Sequence, residues 1–195
     1  HAGFVGRIYP RGTPSGKFLA RYAEHFPAIE LNSTWYGIRP DQILRWADEV
    51  PETFRFFAKL PRTITHERAL NRAERETADA LRDLGAFGPR LGGVFAQLPP
   101  EFGPEQCGLL GAWLDLVPRS IPLAVELRHP GFFASPTARD EVFGILRARG
   151  ATAIITATLG RAEVLHQPES WTAKLSRRLR GRGTPIPWLL IKDQA

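Results

Sequence analysis

Leu123-Ala124-Val125-Glu126-Leu127-Arg128-His129-Pro130 reads as a strand that begins apolar and ends charged. A strand covered on both faces shows a nearly unbroken apolar run, and residues 123–127 have one except for Glu126. Three more stretches share the design: Ala28-Ile29-Glu30-Leu31-Asn32-Ser33-Thr34-Trp35-Tyr36, Phe54-Arg55-Phe56-Phe57-Ala58-Lys59-Leu60-Pro61 and Gly93-Val94-Phe95-Ala96-Gln97-Leu98-Pro99-Pro100. Ala151 to Ala157 forms a fifth apolar run, and Pro187 to Lys192 a candidate sixth. Unpaired charge is costly to bury, so Glu, Lys, Gln and Arg within such strands point to a site.

Helical stripes separate the runs. They are Phe18, Tyr22, Ala23 and Phe26; Ile43, Trp46, Ala47 and Val50; Thr77, Leu81 and Leu84; Leu110, Trp113, Leu114 and Val117; and Val142, Phe143 and Leu146. Pro40 suits the first turn of the second stripe. Pro51, Gly85, Pro118 and Gly150 close the second to fifth stripes. This alternation predicts an α/β fold with a parallel sheet. No G-x-G-x-x-G or Walker sequence follows the first strand, as a doubly wound nucleotide-binding sheet usually requires. The expectation is therefore a parallel (β/α) barrel, incomplete or irregular in this chain, forming one domain over residues 1–195. In a barrel the C-terminal strand ends meet on one face.

The totals narrow the function classes. The chain has 195 residues, of which 43% are hydrophobic, enough for one core. It shows no apolar run long enough for a membrane span and no signal peptide. One cysteine, Cys107, allows no internal disulfide and fits a cytoplasmic setting. Cys107 falls in a helical pattern and reads as packing. The net charge of +6 admits nucleic acid or other polyanions as partners. Most of it comes from arginines scattered along the chain. The cluster Lys174, Arg177, Arg178, Arg180 and Arg182 reads as a solvated helix face or a nucleic-acid patch.

Alternation along a strand sets which side chains share a face. Glu30 and Asn32 are expected to face the barrel axis, as are Ala124, Glu126 and Arg128. Glu30 and Glu126 then form a carboxylate pair able to divide acid and base roles. Arg128 can instead neutralise one of them. Lys59, among Phe56, Phe57 and Leu60, either becomes a nucleophile by losing its proton or holds an anion. Gln97 orients a ligand or satisfies the backbone where Pro99-Pro100 leaves the sheet. His66 and His129 are candidate proton shuttles. Trp35, Tyr36, Phe132 and Phe133 can wall a pocket. No H-E-x-x-H, C-x-x-C or His-x-His spacing is present, so a divalent metal is possible but not favoured.

The chain resembles the DUF72 family, also called YecE-like proteins. The resemblance rests on Ile8-Tyr9-Pro10, Glu30 through Tyr36, Phe54 through Pro61, Ile64-Thr65-His66-Glu67, Gln97-Leu98-Pro99-Pro100 and Val125 through Pro130. Thr158 through Arg161 and Val164-Leu165-His166 extend it, so that it spans roughly residues 7–166. It implies a TIM-barrel-like fold of no settled activity. Against the family pattern, a glycine-rich strand before Ile8 and a seventh strand after His166 are not evident, and Gln167-Pro168-Glu169 is similar to a more distal segment.

The functional expectation is an enzyme of hydrolase or lyase type acting on a polar or anionic substrate. Glu30, Glu126, Lys59, His66 and His129 are its catalytic candidates. Asn32, Tyr36, Gln97 and Arg128 are the candidates for substrate binding. Two rivals are a nucleic-acid-binding barrel, related in shape to metal-dependent endonucleases, and a metabolite-binding protein without catalysis.

Overall fold

The computed structural model describes residues 4–154. Five parallel strands lie side by side in chain order: β1 (Ala28–Leu31), β2 (Arg55–Lys59), β3 (Leu91–Gln97), β4 (Leu123–Glu126) and β5 (Thr152–Ile154). Parallel neighbours need crossover connections. These are supplied by α2 (Pro40–Asp48), α3 (Glu74–Leu84), α4 (Cys107–Leu114) and the pair α5 (Gly131–Ala134) and α6 (Pro136–Ala148), while α1 (Phe18–Ala23) precedes β1. The described part is an incomplete β/α barrel, a curved parallel sheet with β1 and β5 as its edges. The expected strand at Pro187–Lys192, the basic cluster at 174–182 and the junction at His166 lie outside the described residues.

The helices cover one face of the sheet. Leu31, Phe56, Ala58, Leu60, Val94, Ala96, Leu98, Val125 and Leu127 point outward into a single core with Ile43, Leu84, Leu110, Trp113 and Val142. Their strand partners in sequence point inward, as period-two alternation requires. Phe95, Ala124 and Ile154 pack together there. With Glu30, Phe57 and Tyr22 they line a largely apolar inner cavity of about 300 Å³.

Two local features set the register. Between β2 and β3 the pairing slips at Phe56/Phe57, so that Phe57 faces Gly93 and Lys59 faces Phe95. Gly93 has φ of 156°, and a Cβ there would lie 2.7 Å from the Pro122 carbonyl oxygen. That oxygen accepts the Val94 N–H at 2.9 Å, so the glycine lets β3 and β4 close at this level. Helix starts follow sequence rules. Pro40 and Pro136 occupy first turns, and the Ser135 hydroxyl accepts the Ala138 N–H at 3.1 Å.

Between α3 and α4 the Trp113 indole N–H donates to the Thr77 hydroxyl at 3.0 Å, with both residues buried. Thr77→Val keeps the volume and orphans that donor, which costs about 1–3 kcal/mol. Urea unfolding is expected to show the loss as a lower midpoint at unchanged slope.

Candidate functional site

Lys59, Gln97 and Glu126 are the last residues of β2, β3 and β4. Gln97 pairs with Glu126 in the sheet, and Lys59 sits one step diagonally from Gln97. All three therefore project inward at the C-terminal end. The Lys59 ammonium donates to Gln97 Oε1 at 2.8 Å, and Gln97 Nε2 donates to Glu126 Oε2 at 2.7 Å. The amide thus accepts from a cation on one side and donates to a carboxylate on the other, which fixes its orientation. Lys59 is 7% exposed and Glu126 8%. Buried charges persist only when hydrogen-bonded or paired, and Gln97 links these two.

A second layer surrounds the lysine. After β1 the chain makes a tight turn at Ser33–Trp35. The Thr34 hydroxyl lies 2.9 Å from the Leu31 carbonyl and 2.7 Å from that of Lys59, which ties this turn to the end of β2. Trp35 is thereby held with its ring centroid 5.1 Å from Lys59 Nζ and 5.5 Å from the Arg62 guanidinium carbon. Both cations meet the negative π face. Tyr36 and His66 approach the same ring edge-on, at centroid distances of 4.9 and 5.2 Å.

His66 lies in the wide helical turn Thr63–Glu67 after β2. The Thr65 hydroxyl, on a fully buried side chain, sits 2.9 Å from His66 Nδ1 and 3.4 Å from the Pro61 carbonyl. The turn exits through Ala69, Leu70 and Arg72, all with positive φ. Such non-glycine positions cost roughly 1 kcal/mol or more each. Burial of Leu70 and its N–H bond to the Ile64 carbonyl at 3.0 Å hold the chain there. Burial lowers the His66 pKa, and Lys59, Arg128 and Arg62 lower it further, in that order, against a smaller opposing pull from Glu101.

The remaining expected residues lie around or beside this group. Glu30 faces inward but lines the apolar cavity, whose lining does not include Lys59, Gln97 or Glu126. Among the described residues its Oε1 finds no hydrogen-bond partner although it is buried, and the same holds for Trp35 Nε1. Asn32, expected on the barrel axis, lies one residue past the end of β1 and is exposed in the turn. Arg128 was expected to share a face with Glu126. Arg128 lies two residues past the end of β4, is exposed, and its charge acts on His66. The Glu126 carboxylate accepts a hydrogen bond from Gln97. Tyr36 is 78% exposed on the rim. His129 uses Nδ1 to accept the Gly131 N–H at 3.0 Å, a bond that shapes the start of α5.

Arg62, Thr34 and Thr65 were not singled out from the sequence. Their one signal is adjacency: Thr34 precedes Trp35, Thr65 precedes His66, and Arg62 follows the Lys59 strand. Among the described residues no three His, Cys, Asp or Glu side chains gather as a metal site would need. Cys107 is buried, and burial, then Glu141 and Glu105, push its thiol pKa up. No helix among the described residues is long and apolar enough to cross a membrane.

Comparison with known proteins gives a consistent family. The profile described as "Protein of unknown function DUF72" matches residues 1–190. The UPF0759 protein YecE of Escherichia coli K12 is 36% identical over 138 residues, covering 70% of this chain and 51% of the relative. The UPF0759 protein YunF of Bacillus subtilis 168 is 33% identical over 152 residues, covering 73% and 53%. The chain spans about half the length of these curated relatives. Two crystal structures of a DUF72 family protein from Enterococcus faecalis V583 share the fold. Their TM-scores are 0.61 and 0.63 at 22% and 23% identity, covering 75% and 80% of this chain and 61% and 57% of theirs.

The lowered His66 pKa has a signed consequence for stability. The unfolded chain takes up this proton near 6.5, while the folded protein resists it to lower pH. The stabilising contribution is therefore complete above 6.5 and declines as the pH falls through the lower folded value. Urea unfolding from pH 8 to pH 5 is expected to show a steeper loss for the native chain than for His66→Gln.

Proposed function

The chain belongs to the DUF72 family, and within that family we propose that it is an enzyme of hydrolase or lyase type. Its substrate is a polar, anionic small molecule held at the C-terminal ends of β2, β3 and β4. The observation that carries this reading is the buried hydrogen-bonded chain Lys59–Gln97–Glu126. Sites of parallel barrels lie at this end of the strands. Structural stability alone seldom calls for a buried lysine and a buried glutamate joined through an amide, since apolar residues of similar volume usually serve as well.

In this reading Lys59 holds the negative group, with Arg62 and Arg128 supplying further positive potential from the rim. Fixed cations in a partly dry site need no reorganisation when charge develops on the substrate. Glu126 is the acid–base group, oriented by Gln97. His66, neutral at pH 7 because its pKa is lowered, accepts or relays a proton. Glu30 is the second carboxylate, acting from the inner cavity. Asn32 and Tyr36 contact the outer part of the substrate, and His129 positions the loop after β4. A divalent metal is not needed for these roles. The cellular setting of the proposal is the cytoplasm.

A nucleic-acid-binding role is the second reading. It is favoured by the exposed Tyr36 ring beside Trp35 and Arg62, because rim aromatics and cations suit single strands. Thermal melting in sulfate, at ionic strength matched with chloride, tests the pocket. Sulfate is expected to raise the melting temperature of the native chain by more than that of Lys59→Met, whose rise reports only the general effect of the salt. Equal effects on both would contradict the pocket. Tight binding of short single-stranded DNA that weakens steeply with salt and survives Lys59→Met would favour the second reading.

A further inference from the structure

We infer that this face is a proton-coupled anion site, in which an anion seated among Lys59, Arg62 and Arg128 is taken up together with a proton on His66. The inference rests on the anion pocket proposed above and adds a linkage to it. Its geometric basis is the Trp35 ring, which brings the partners together. Lys59 and Arg62 lie within 5.5 Å of the ring centroid, and the His66 ring meets it at 5.2 Å. Cations and imidazole are therefore near neighbours around one aromatic side chain.

Among the described residues, four charged groups act on His66. Lys59 ends β2, and Arg62 lies on the same connection as His66, bonded to Glu67 at 2.9 Å. Arg128 follows β4, and Glu101 follows β3 as the one opposing charge of the four. Glu67 leaves Arg62 about half exposed, so the guanidinium stays accessible to a ligand. Three positive groups disfavour a positive imidazole. An anion placed among them cancels part of that field, and the ring then holds a proton more readily. Linkage is reciprocal: protonated His66 must in turn strengthen anion binding by the same factor.

The Thr65 hydroxyl is built to serve both states of the ring. It lies between His66 Nδ1 and the Pro61 carbonyl. It can donate to Nδ1 of a neutral ring, or turn its proton toward Pro61 and accept from an Nδ1–H. Thr65 is fully buried, so this hydroxyl keeps its position while the proton moves. The proton itself comes from solvent, because His66 is half-buried and reachable.

The test is a pH titration of the histidine ring signals by NMR on the full chain. It compares sodium sulfate with sodium chloride at equal ionic strength, and sulfate stays dianionic throughout the range. Native His66 is expected to titrate below the ordinary histidine range in chloride. In sulfate its midpoint should rise by about half a unit, roughly a threefold gain in proton affinity. Arg62→Gln, an exposed change that spares the fold, should raise the midpoint in chloride and shrink the sulfate response. If sulfate perturbs the Lys59 and Trp35 signals while the His66 midpoint stays still, the coupling is wrong and the pocket stands. If sulfate perturbs neither, the pocket itself is wrong, and the inference falls with it.

Discussion

Gln97 connects a lysine and a glutamate that the fold has removed from water. Its carbonyl oxygen takes the Lys59 ammonium, and its amide nitrogen gives to the Glu126 carboxylate. Three strands must end at matched heights for this to occur. The parallel register Gln97↔Glu126 and the slip between Phe56 and Phe57 deliver that match. A shift of one residue in any of the three strands would turn its polar terminus toward the helices. The outer face has no room for it, since Leu60, Leu98 and Leu127 fill that layer. Packing on one side of the sheet and hydrogen bonding on the other thus enforce the same alignment.

The rim elements depend on this alignment in turn. Thr34 reaches the Lys59 carbonyl only because β1 and β2 end side by side. The bond sets Trp35, and Trp35 gathers Lys59, Arg62, Tyr36 and His66 around one ring. The turn after β2 carries the His66 ring into this group at the cost of positive φ at Ala69, Leu70 and Arg72. Strain of this kind persists where the surroundings over-determine the conformation. Here the buried Leu70 and Ile64 do so.

The sheet was legible in the sequence because its signal is long and redundant. The runs at 28–36, 54–61, 93–100 and 123–130 alternate with helical stripes, and the second to fifth stripes each close at a proline or glycine. Chain order became strand order without exception among the described strands. The inward aim of Lys59, Gln97 and Glu126 was legible for the same reason, since period two holds to the last residue of a strand. Asn32 lies one residue past the end of β1 and Arg128 two past the end of β4, and both are exposed. Nothing in local sequence marks those ends to the residue. The roles of Thr34, Thr65 and Arg62 were illegible, because each depends on contacts across the fold or on a turn whose left-handed residues are not glycines. His129 had the residue type of a proton shuttle, but its Nδ1 is committed to the Gly131 amide.

Lys59 and Glu126 act as one unit through Gln97. A double-mutant cycle on folding stability measures this directly, with Lys59→Met, Glu126→Gln and the pair compared by urea unfolding. Groups in one buried hydrogen-bond network couple by about 0.5–3 kcal/mol. The expected result is a coupling of about 1 kcal/mol or more that vanishes in a Gln97→Leu background. Additive losses, or a coupling that survives the removal of Gln97, would show that the amide does not join the two charges.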